Sequence, residues 1–150
     1  MNRNKGFTLI EILVVIAIVG VLIAVVALPL IKFRQQQSLQ NTTNAIVAVL
    51  NDARAKTFAA VNNTSYGVAL SSTGMTLFTG TGYAVETATN ETYTFESPVT
   101  ATWSLAGGGN TISFDRLKGT TGQHGTITLQ VPNGTMRTIT ITTLGSVIRN

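Results

Sequence analysis

The sequence predicts an α+β protein in which one long N-terminal helix packs on a C-terminal domain of antiparallel β-strands. Three observations support this class: a run of 20 residues without a charged side chain at 12–31, an amphipathic segment after it, and a polar remainder in which short apolar stretches alternate with Gly, Asn and Pro. A chain of 150 residues is long enough for one such domain and short for two. We therefore expect four segments: a short basic segment at 1–6, an apolar helix at 7–31, its amphipathic continuation at 32–62 and a β-rich domain at 63–150.

The apolar run has the length and composition of a membrane-spanning helix. A hydrocarbon core of about 30 Å is crossed by about 20 helical residues at about 1.5 Å each, so the run supports one span. Arg3 and Lys5 precede the run, whereas Lys32 and Arg34 follow it. Because the basic residues on the two sides are balanced, charge alone does not orient the span.

The segment after the span has one apolar or small face, as expected for an amphipathic helix. Residues on this face recur at spacings of three and four; they are Leu39, Thr43, Ile46, Leu50, Ala53, Thr57 and Val61. We expect the face to be buried against a sheet, while a helix that binds a partner is the alternative. The helix is predicted to end near Asn62 and Asn63, because Asn favours a helix C-terminus.

Pro29 lies near the end of the apolar run. Proline removes one intrahelical hydrogen bond, so it is predicted to kink or locally open the helix. Two interpretations remain open: a segment that bends during assembly, and an ordinary helix interruption where the chain leaves the membrane.

The domain is predicted to contain eight short strands separated by Gly, Asn and Pro. They are expected at residues 66–70, 75–78, 93–95, 99–105, 111–114, 126–131, 136–142 and 146–149. The clearest pair is a hairpin around Asn133 and Gly134. This dipeptide favours a tight turn, and it is flanked by Ile, Leu and Val alternating with Thr.

The start of the chain carries a specific motif. Residues 5–11 read Lys-Gly-Phe-Thr-Leu-Ile-Glu and run directly into the apolar helix; together they resemble the class III signal of type IV pilins and type II secretion pseudopilins. The resemblance implies that a prepilin peptidase and methyltransferase cuts between Gly6 and Phe7 on the cytoplasmic face and N-methylates Phe7. The alternative is an ordinary secretory signal peptide cut after Ala27, which would leave Leu28 as the first residue.

Glu11 places a carboxylate in this otherwise apolar helix start, four residues after Phe7. A charge in a membrane helix costs roughly 2.5 to 3.5 kcal/mol at the centre and less near the interface. We predict a docking role, because a carboxylate one turn from the mature N-terminus can meet the amine of a neighbouring subunit. The alternative is that Glu11 reaches the headgroups or its own helix N-terminus, where negative charge is favoured.

The order of the later segments resembles the GspH/FimT family, which comprises H-type minor pseudopilins and FimT-like minor pilins. The supporting residues are Asp-Ala-Arg-Ala-Lys at 52–56, Trp103, Ile-Ser-Phe at 112–114 and Gly-Ser-Val-Ile-Arg at 145–149. The resemblance implies a pilin-like fold and a minor pseudopilin, a structural subunit of a type II secretion pseudopilus that supports protein secretion. Such a subunit spans the cytoplasmic (inner) membrane once, has its C-terminal domain outside the cytoplasm, and joins a filament with other pilins or pseudopilins; a secretion substrate is a further candidate partner. Arg54 is expected either to make a contact typical of the family or to be a solvated helix residue.

Two other functions remain open. One is a FimT-like minor type IV pilin that serves pilus assembly, adhesion or DNA uptake, and the other is a signal-anchored or secreted β-sandwich unrelated to filaments. Some FimT-like proteins bind DNA through a C-terminal Gly-Arg-x-Arg element, but here Ser146 stands in place of the first Arg and Arg149 lies one position beyond the second. Arg137 and Arg149 remain as candidate DNA contacts. Phosphate binding depends on clustered Lys or Arg, so the sequence argues against nucleic acid as a partner.

The sequence offers little support for an enzyme. It has no cysteine, and its one histidine, His124, lies in a Gly-rich segment without metal-ligand spacing or a nucleophile motif around it. Glu86, Glu91, Glu96 and Asp115 could form an acid–base pair only if folding joined two of them. We therefore predict a protein that is not an enzyme and holds no cofactor or metal.

Overall fold

A computed structural model describes residues 6–85, 88–132 and 134–150, without the side chains of residues 26–28. The predictions that concern Arg3, Lys5, Glu86 and Asn133 lie outside the described residues.

The first of two compact units, Met1–Arg34, contains the N-terminal part of a long helix, α1 (Leu9–Phe58). Every described side chain at 9–25 is exposed and nearly all are apolar. Within the described part of the chain, α1 is the one helix long and apolar enough to cross a membrane. The predicted long N-terminal helix is therefore confirmed.

The backbone of α1 continues in helical conformation through Pro29. Because proline has no N–H, the carbonyl group of Val25 lacks its usual donor four residues later. The kink at Pro29 stays a prediction.

The second unit, Gln35–Asn150, begins with the remainder of α1, which buries its predicted apolar face as far as Thr57. The prediction is wrong for Val61, which lies beyond the end of α1 and is exposed. Leu39, Ile46, Leu50 and Ala53 are at most 1% exposed. They belong to one cluster with buried side chains of the β-strands. The amphipathic face is therefore a core face.

The prediction that the helix ends near Asn62 and Asn63 is wrong, because α1 ends at Phe58. Ala60 already has a left-handed backbone, with φ 50°, and a 3₁₀ turn at Val61–Asn63 follows it. Both Asn residues do adopt positive φ values, 53° and 56°. They do so after the chain has left the helix, since the turn begins at Ala60.

All eight predicted strands are confirmed, with ends shifted by at most two residues. The strands are β1 (Tyr66–Ser71), β2 (Gly74–Thr79), β3 (Glu91–Thr94), β4 (Thr100–Leu105), β5 (Thr111–Ser113), β6 (Gly125–Gln130), β7 (Met136–Ile141) and β8 (Val147–Arg149).

Among the described residues, the strands form two antiparallel sheets. Sheet A has the order β3-β2-β1-β5, and sheet B has the order β4-β6-β7-β8. The predicted hairpin is formed by β6 and β7, in which Ile127 lies opposite Ile139. Gly134 in its turn has φ 82°, a conformation that glycine adopts without steric cost. Because α1 and buried residues of both sheets share one core, the predicted α+β arrangement is confirmed.

Candidate processing and assembly site

A reciprocal capping box between Thr8 and Glu11 closes the first turn of α1. The N–H of Glu11 donates to Thr8 Oγ1 at 3.3 Å, and the N–H of Thr8 donates to Glu11 Oε2 at 3.4 Å. A Thr followed three residues later by Glu is the spacing that this motif requires. Two N–H groups that the helix itself cannot satisfy therefore find acceptors.

Gly6 and Phe7, between which the cut is predicted, precede this capping box and lie outside the helix. Both residues are exposed, Phe7 to 79%. Among the described residues, and apart from its chain neighbours, nothing lies within 4 Å of where a Cβ of Gly6 would stand. The described residues around this peptide bond are therefore exposed and lie outside α1, and the cut itself stays a prediction.

The carboxylate of Glu11 occupies its own helix N-terminus, the contact that the sequence offers as the alternative to docking. Both hydrogen bonds of the capping box are exposed and longer than 3.2 Å, so they are weak. The amine of a neighbouring subunit would offer the carboxylate a donor that carries a full positive charge, which the backbone N–H of Thr8 does not. The docking role of Glu11 stays a prediction, and the observed geometry leaves the carboxylate free to exchange partners.

The two candidate DNA contacts, Arg137 and Arg149, emerge on the same face of sheet B. Arg149 lies opposite Ile139, and Arg137 precedes Ile139 by two residues, so both side chains share the inner face. Arg149 Nη1 donates to Asn44 Oδ1 at 2.8 Å. Two cations are a small surface for phosphate binding, which usually combines several Lys or Arg residues.

Arg54 ties α1 to two loops. Its Nε donates to the carbonyl group of Gly119 at 3.0 Å, and its Nη2 donates to that of Leu144 at 3.2 Å. Arg54 is therefore a structural contact and not a solvated residue. Its partners lie 65 and 90 residues away in the sequence, so no local pattern could identify them.

Two of the carboxylates considered for catalysis accept hydrogen bonds from polar side chains. Glu96 accepts a hydrogen bond from Asn41 Nδ2 at 3.2 Å, and Asp115 accepts one from Thr120 Oγ1 at 2.7 Å. Within residues 6–85, 88–132 and 134–150, no group of three or more His, Cys, Asp or Glu could hold a metal ion. The absence of enzymatic activity stays a prediction.

Two groups on the surface beside α1 and β3 have shifted pKa values. Tyr93 Oη donates to Glu91 Oε2 at 2.8 Å, which raises the pKa of Tyr93 because ionisation would remove the donated proton. Lys56 Nζ lies 2.7 Å from Asp52 Oδ2, and this contact raises the pKa of Lys56.

A capped N-terminal helix of membrane length, followed by a β-rich domain, is the arrangement of a membrane-anchored protein with a single span. Residues 1–27 match the family model of the prokaryotic N-terminal methylation motif. The match includes Gly6, Phe7 and most of the apolar run, and it indicates a type IV pilin-like protein that a prepilin peptidase processes. No curated protein and no solved structure matches the chain.

Proposed function

We propose that the chain is a minor pseudopilin, a structural subunit of a type II secretion pseudopilus that supports protein secretion. The observation that carries the proposal is the methylation signal at residues 1–27, which leads into a helix of membrane length and then into a β-rich domain. The assignment to the GspH/FimT family rests on the resemblance at residues 52–56, 112–114 and 145–149.

Assembly, and not catalysis, is the proposed mechanism. The subunit is stored in the cytoplasmic membrane with its domain outside the cytoplasm, where a secretion substrate is a candidate partner. The prepilin peptidase and methyltransferase cuts between Gly6 and Phe7 and methylates the new amine of Phe7. When the subunit enters the filament, its apolar helix exchanges lipid for the helices of other pilins or pseudopilins, so its side chains are not exposed to water.

Glu11 has the role of setting the axial register of the subunit. Its carboxylate leaves the weak capping box and meets the methylated amine of a neighbouring subunit. A charge pair is strengthened where water is excluded, whereas a misaligned subunit leaves the carboxylate unpaired at a cost.

A FimT-like minor type IV pilin is the second candidate function, in pilus assembly, adhesion or DNA uptake. The observation that favours it is the shared face of Arg137 and Arg149 in sheet B. A gel shift of the full chain in detergent at low salt tests the DNA-binding part of this candidate. Retention that is lost on changing both Arg residues to Ala would favour DNA uptake, whereas no retention would dispose of it.

The N-terminus of the mature protein from its own cell is the first test of the proposed function. Mass spectrometry is expected to find N-methylated Phe7 as the first residue. Leu28 as the first residue would show instead that the N-terminal segment is a secretory signal peptide. A deletion strain assayed for secretion, twitching and transformation then distinguishes a type II secretion system from a type IV pilus. Loss of secretion is expected, and loss of twitching or transformation with secretion intact would overturn the pseudopilin assignment.

A further inference from the structure

Each sheet has two edge strands, and the described residues cover these edges unequally. On β5, Ser113 donates its N–H to Gln123 Oε1 at 3.1 Å and accepts a hydrogen bond from Thr121 Oγ1 at 2.8 Å. On β4, the N–H of Ala101 donates to the carbonyl group of Ser72 at 2.9 Å. Within the described chain, the backbones of β3 and β8 bond only to β2 and β7. Such uncovered edges can pair with another chain.

Among the described residues, Thr92 and Thr94 are the residues of β3 whose backbone groups have no hydrogen-bond partner. The N–H of Phe95 donates to the carbonyl group of Thr73 at 2.9 Å. Because the residues of an antiparallel strand bond their neighbour alternately, Tyr93 and Glu91 also bond β2. The residues between them point their N–H and C=O groups away from the sheet.

In the part of the chain that the structure describes, Val147 and Arg149 are the residues of β8 whose backbone groups have no hydrogen-bond partner. The N–H of Asn150 donates to the carbonyl group of Thr138 at 2.9 Å. By the same alternation, Ile148 bonds Thr140 of β7. Val147 and Arg149 are the residues between, and they point outward.

The two uncovered strands run in the same direction along the domain. The chain approaches β8 from a contact with Arg54 and leaves it at a contact with Asn44. β3 runs parallel to β1, because both strands pair antiparallel with β2, and β1 begins beside Thr57. The chain then leaves β3 towards the contact between Glu96 and Asn41. Both strands therefore run antiparallel to α1 and parallel to each other.

The two edges carry opposite charges on corresponding faces. Glu91 and Tyr93 lie opposite buried residues of β2, and Arg149 lies opposite a buried residue of β7, so all three share the inner faces of their sheets. One carboxylate oxygen of Glu91 accepts a hydrogen bond from Tyr93, and one guanidinium nitrogen of Arg149 donates a hydrogen bond to Asn44. The other oxygen and the other guanidinium nitrogens have no hydrogen-bond partner among the described residues.

We propose that β8 of a second copy of this chain adds in parallel to β3, with Arg149 opposite Tyr93 and beside Glu91. In this register Thr92 lies opposite Ile148, and its N–H and C=O bond the outward backbone groups of Val147 and Arg149, as a parallel pair requires. The guanidinium group meets the free oxygen of the Glu91 carboxylate and packs on the ring of Tyr93.

The register also aligns the two copies. Since β3 and β8 both run antiparallel to α1, and the charged side chains share the inner faces, the 35–58 parts of α1 point the same way on one side of the joined sheet. The contact uses a different surface on each copy, so it can repeat from copy to copy. Short parallel strands pair weakly, and anchoring in one membrane raises their effective concentration. The inference goes beyond the proposed function, because residues of the β-rich domain make the contact and no part of a secretion system takes part in it.

Cysteine cross-linking tests the contact cleanly, because the chain has no cysteine of its own. Two differently tagged full-length copies, one with Thr92→Cys and one with Ile148→Cys, are expressed together and oxidised in membranes. Paired strands lie about 4.8 Å apart, within the roughly 4.4–6.8 Å that a disulfide spans between Cα atoms. The matched control pairs Thr92→Cys with Thr102→Cys, an exposed residue on the covered edge strand β4. We expect the disulfide-linked heterodimer in about tenfold excess over this control, because only the uncovered edges pair.

Charge reversal tests whether Glu91 and Arg149 form the contact between the two copies. Glu91→Lys in the first copy, or Arg149→Glu in the second, should reduce cross-linking to the control level, and the two together should restore it, because the pair only changes sign. Restoration also shows that both variants fold. Glu96→Lys is the matched charge control and should leave the cross-link unchanged.

The contact is overturned if the wild-type charges give no heterodimer above the control, if Glu96→Lys acts like Glu91→Lys, or if Thr92→Cys links to a different protein in place of the second copy. The readout needs no secretion system. A chain that cross-links but is dispensable for secretion would therefore fail the proposed function alone.

Discussion

The hydroxyl group of Thr57 joins the last turn of α1 to the first residue of β1. Its Oγ1 accepts a hydrogen bond from the N–H of Tyr66 at 2.8 Å and donates one to the carbonyl group of Ala53 at 2.8 Å. Thr57 is fully buried, so water cannot replace either partner. The chain turns between helix and sheet around this one polar side chain.

Replacing Thr57 with Val should lower the free energy of unfolding by about 1–3 kcal/mol, because the buried N–H of Tyr66 loses its acceptor. Urea unfolding of the full chain in detergent, followed by circular dichroism, measures the change. Thr43→Val is the matched control. Thr43 is also buried, but its hydroxyl group donates to the carbonyl group of Leu39 within the same helix. Equal losses in the two variants would contradict the role of Thr57.

Gly145→Ala should destabilise the domain more than Gly134→Ala. Both glycines have positive φ, 74° and 82°, so each substitution costs about 1 kcal/mol of backbone strain. A Cβ on Gly145 would also overlap the carbonyl oxygen of Gly119 and lie 2.9 Å from Arg54 Nε. Within the described part of the chain, nothing lies within 4 Å of a Cβ on Gly134. Thermal unfolding should show the larger loss for Gly145→Ala, and similar melting temperatures would refute the close packing around Arg54.

Glu11→Gln separates charge from capping. Gln also completes a capping box, so the variant keeps the start of α1 and loses only the negative charge. We expect normal processing at Phe7 but at least about tenfold less protein in sheared filaments, since the amine of the neighbour has no counter-charge. Immunoblots of sheared and membrane fractions measure the ratio.

Thr8→Val is the control for the Glu11 experiment, because it removes the capping hydroxyl and keeps the carboxylate. This variant should still assemble. Normal incorporation of Glu11→Gln would sink the docking role, and failure of Thr8→Val alone would make capping the function of the motif.

The contribution of Tyr93 to stability should disappear at alkaline pH. Its hydrogen bond to Glu91 raises the pKa of Tyr93 above the model-compound value of 10.0. The neutral phenol is the form that the fold stabilises, so this contribution is complete below pH 10.0 and is lost as the pH rises through the raised pKa. Tyr93 is exposed, so the effect is small. Urea unfolding at a series of pH values should show wild type and Tyr93→Phe converging above pH 10.0, and a constant difference would count against the hydrogen bond.

Local alternation is enough to predict the β6–β7 hairpin, because Ile127 and Ile139 are set inward by the period of a strand alone. The end of α1 is not predictable in this way. Ala60 has no preference for the left-handed conformation that it adopts, and the Thr57–Tyr66 contact around the turn joins residues nine positions apart.

Sheet order accounts for what the sequence misses at the candidate sites. The sequence marks Glu91 only as one of four carboxylates that folding could join into an acid–base pair, and it marks Arg149 as a candidate DNA contact. Local pattern is enough to recognise their strands. The order of strands in the two sheets is needed to see that β3 and β8 are edge strands. Pairings between distant segments decide that order, so the opposite charges on the two edges become visible only in the folded chain.

The capping box of α1 lies wholly on the mature side of the bond between Gly6 and Phe7. A cut at that bond removes none of the hydrogen bonds described at the helix start. Precursor and mature subunit can then share the same capped helix start, and cleavage changes the chemistry of the terminus by leaving an amine on Phe7. Maturation of this kind is a change of charge without a refolding step.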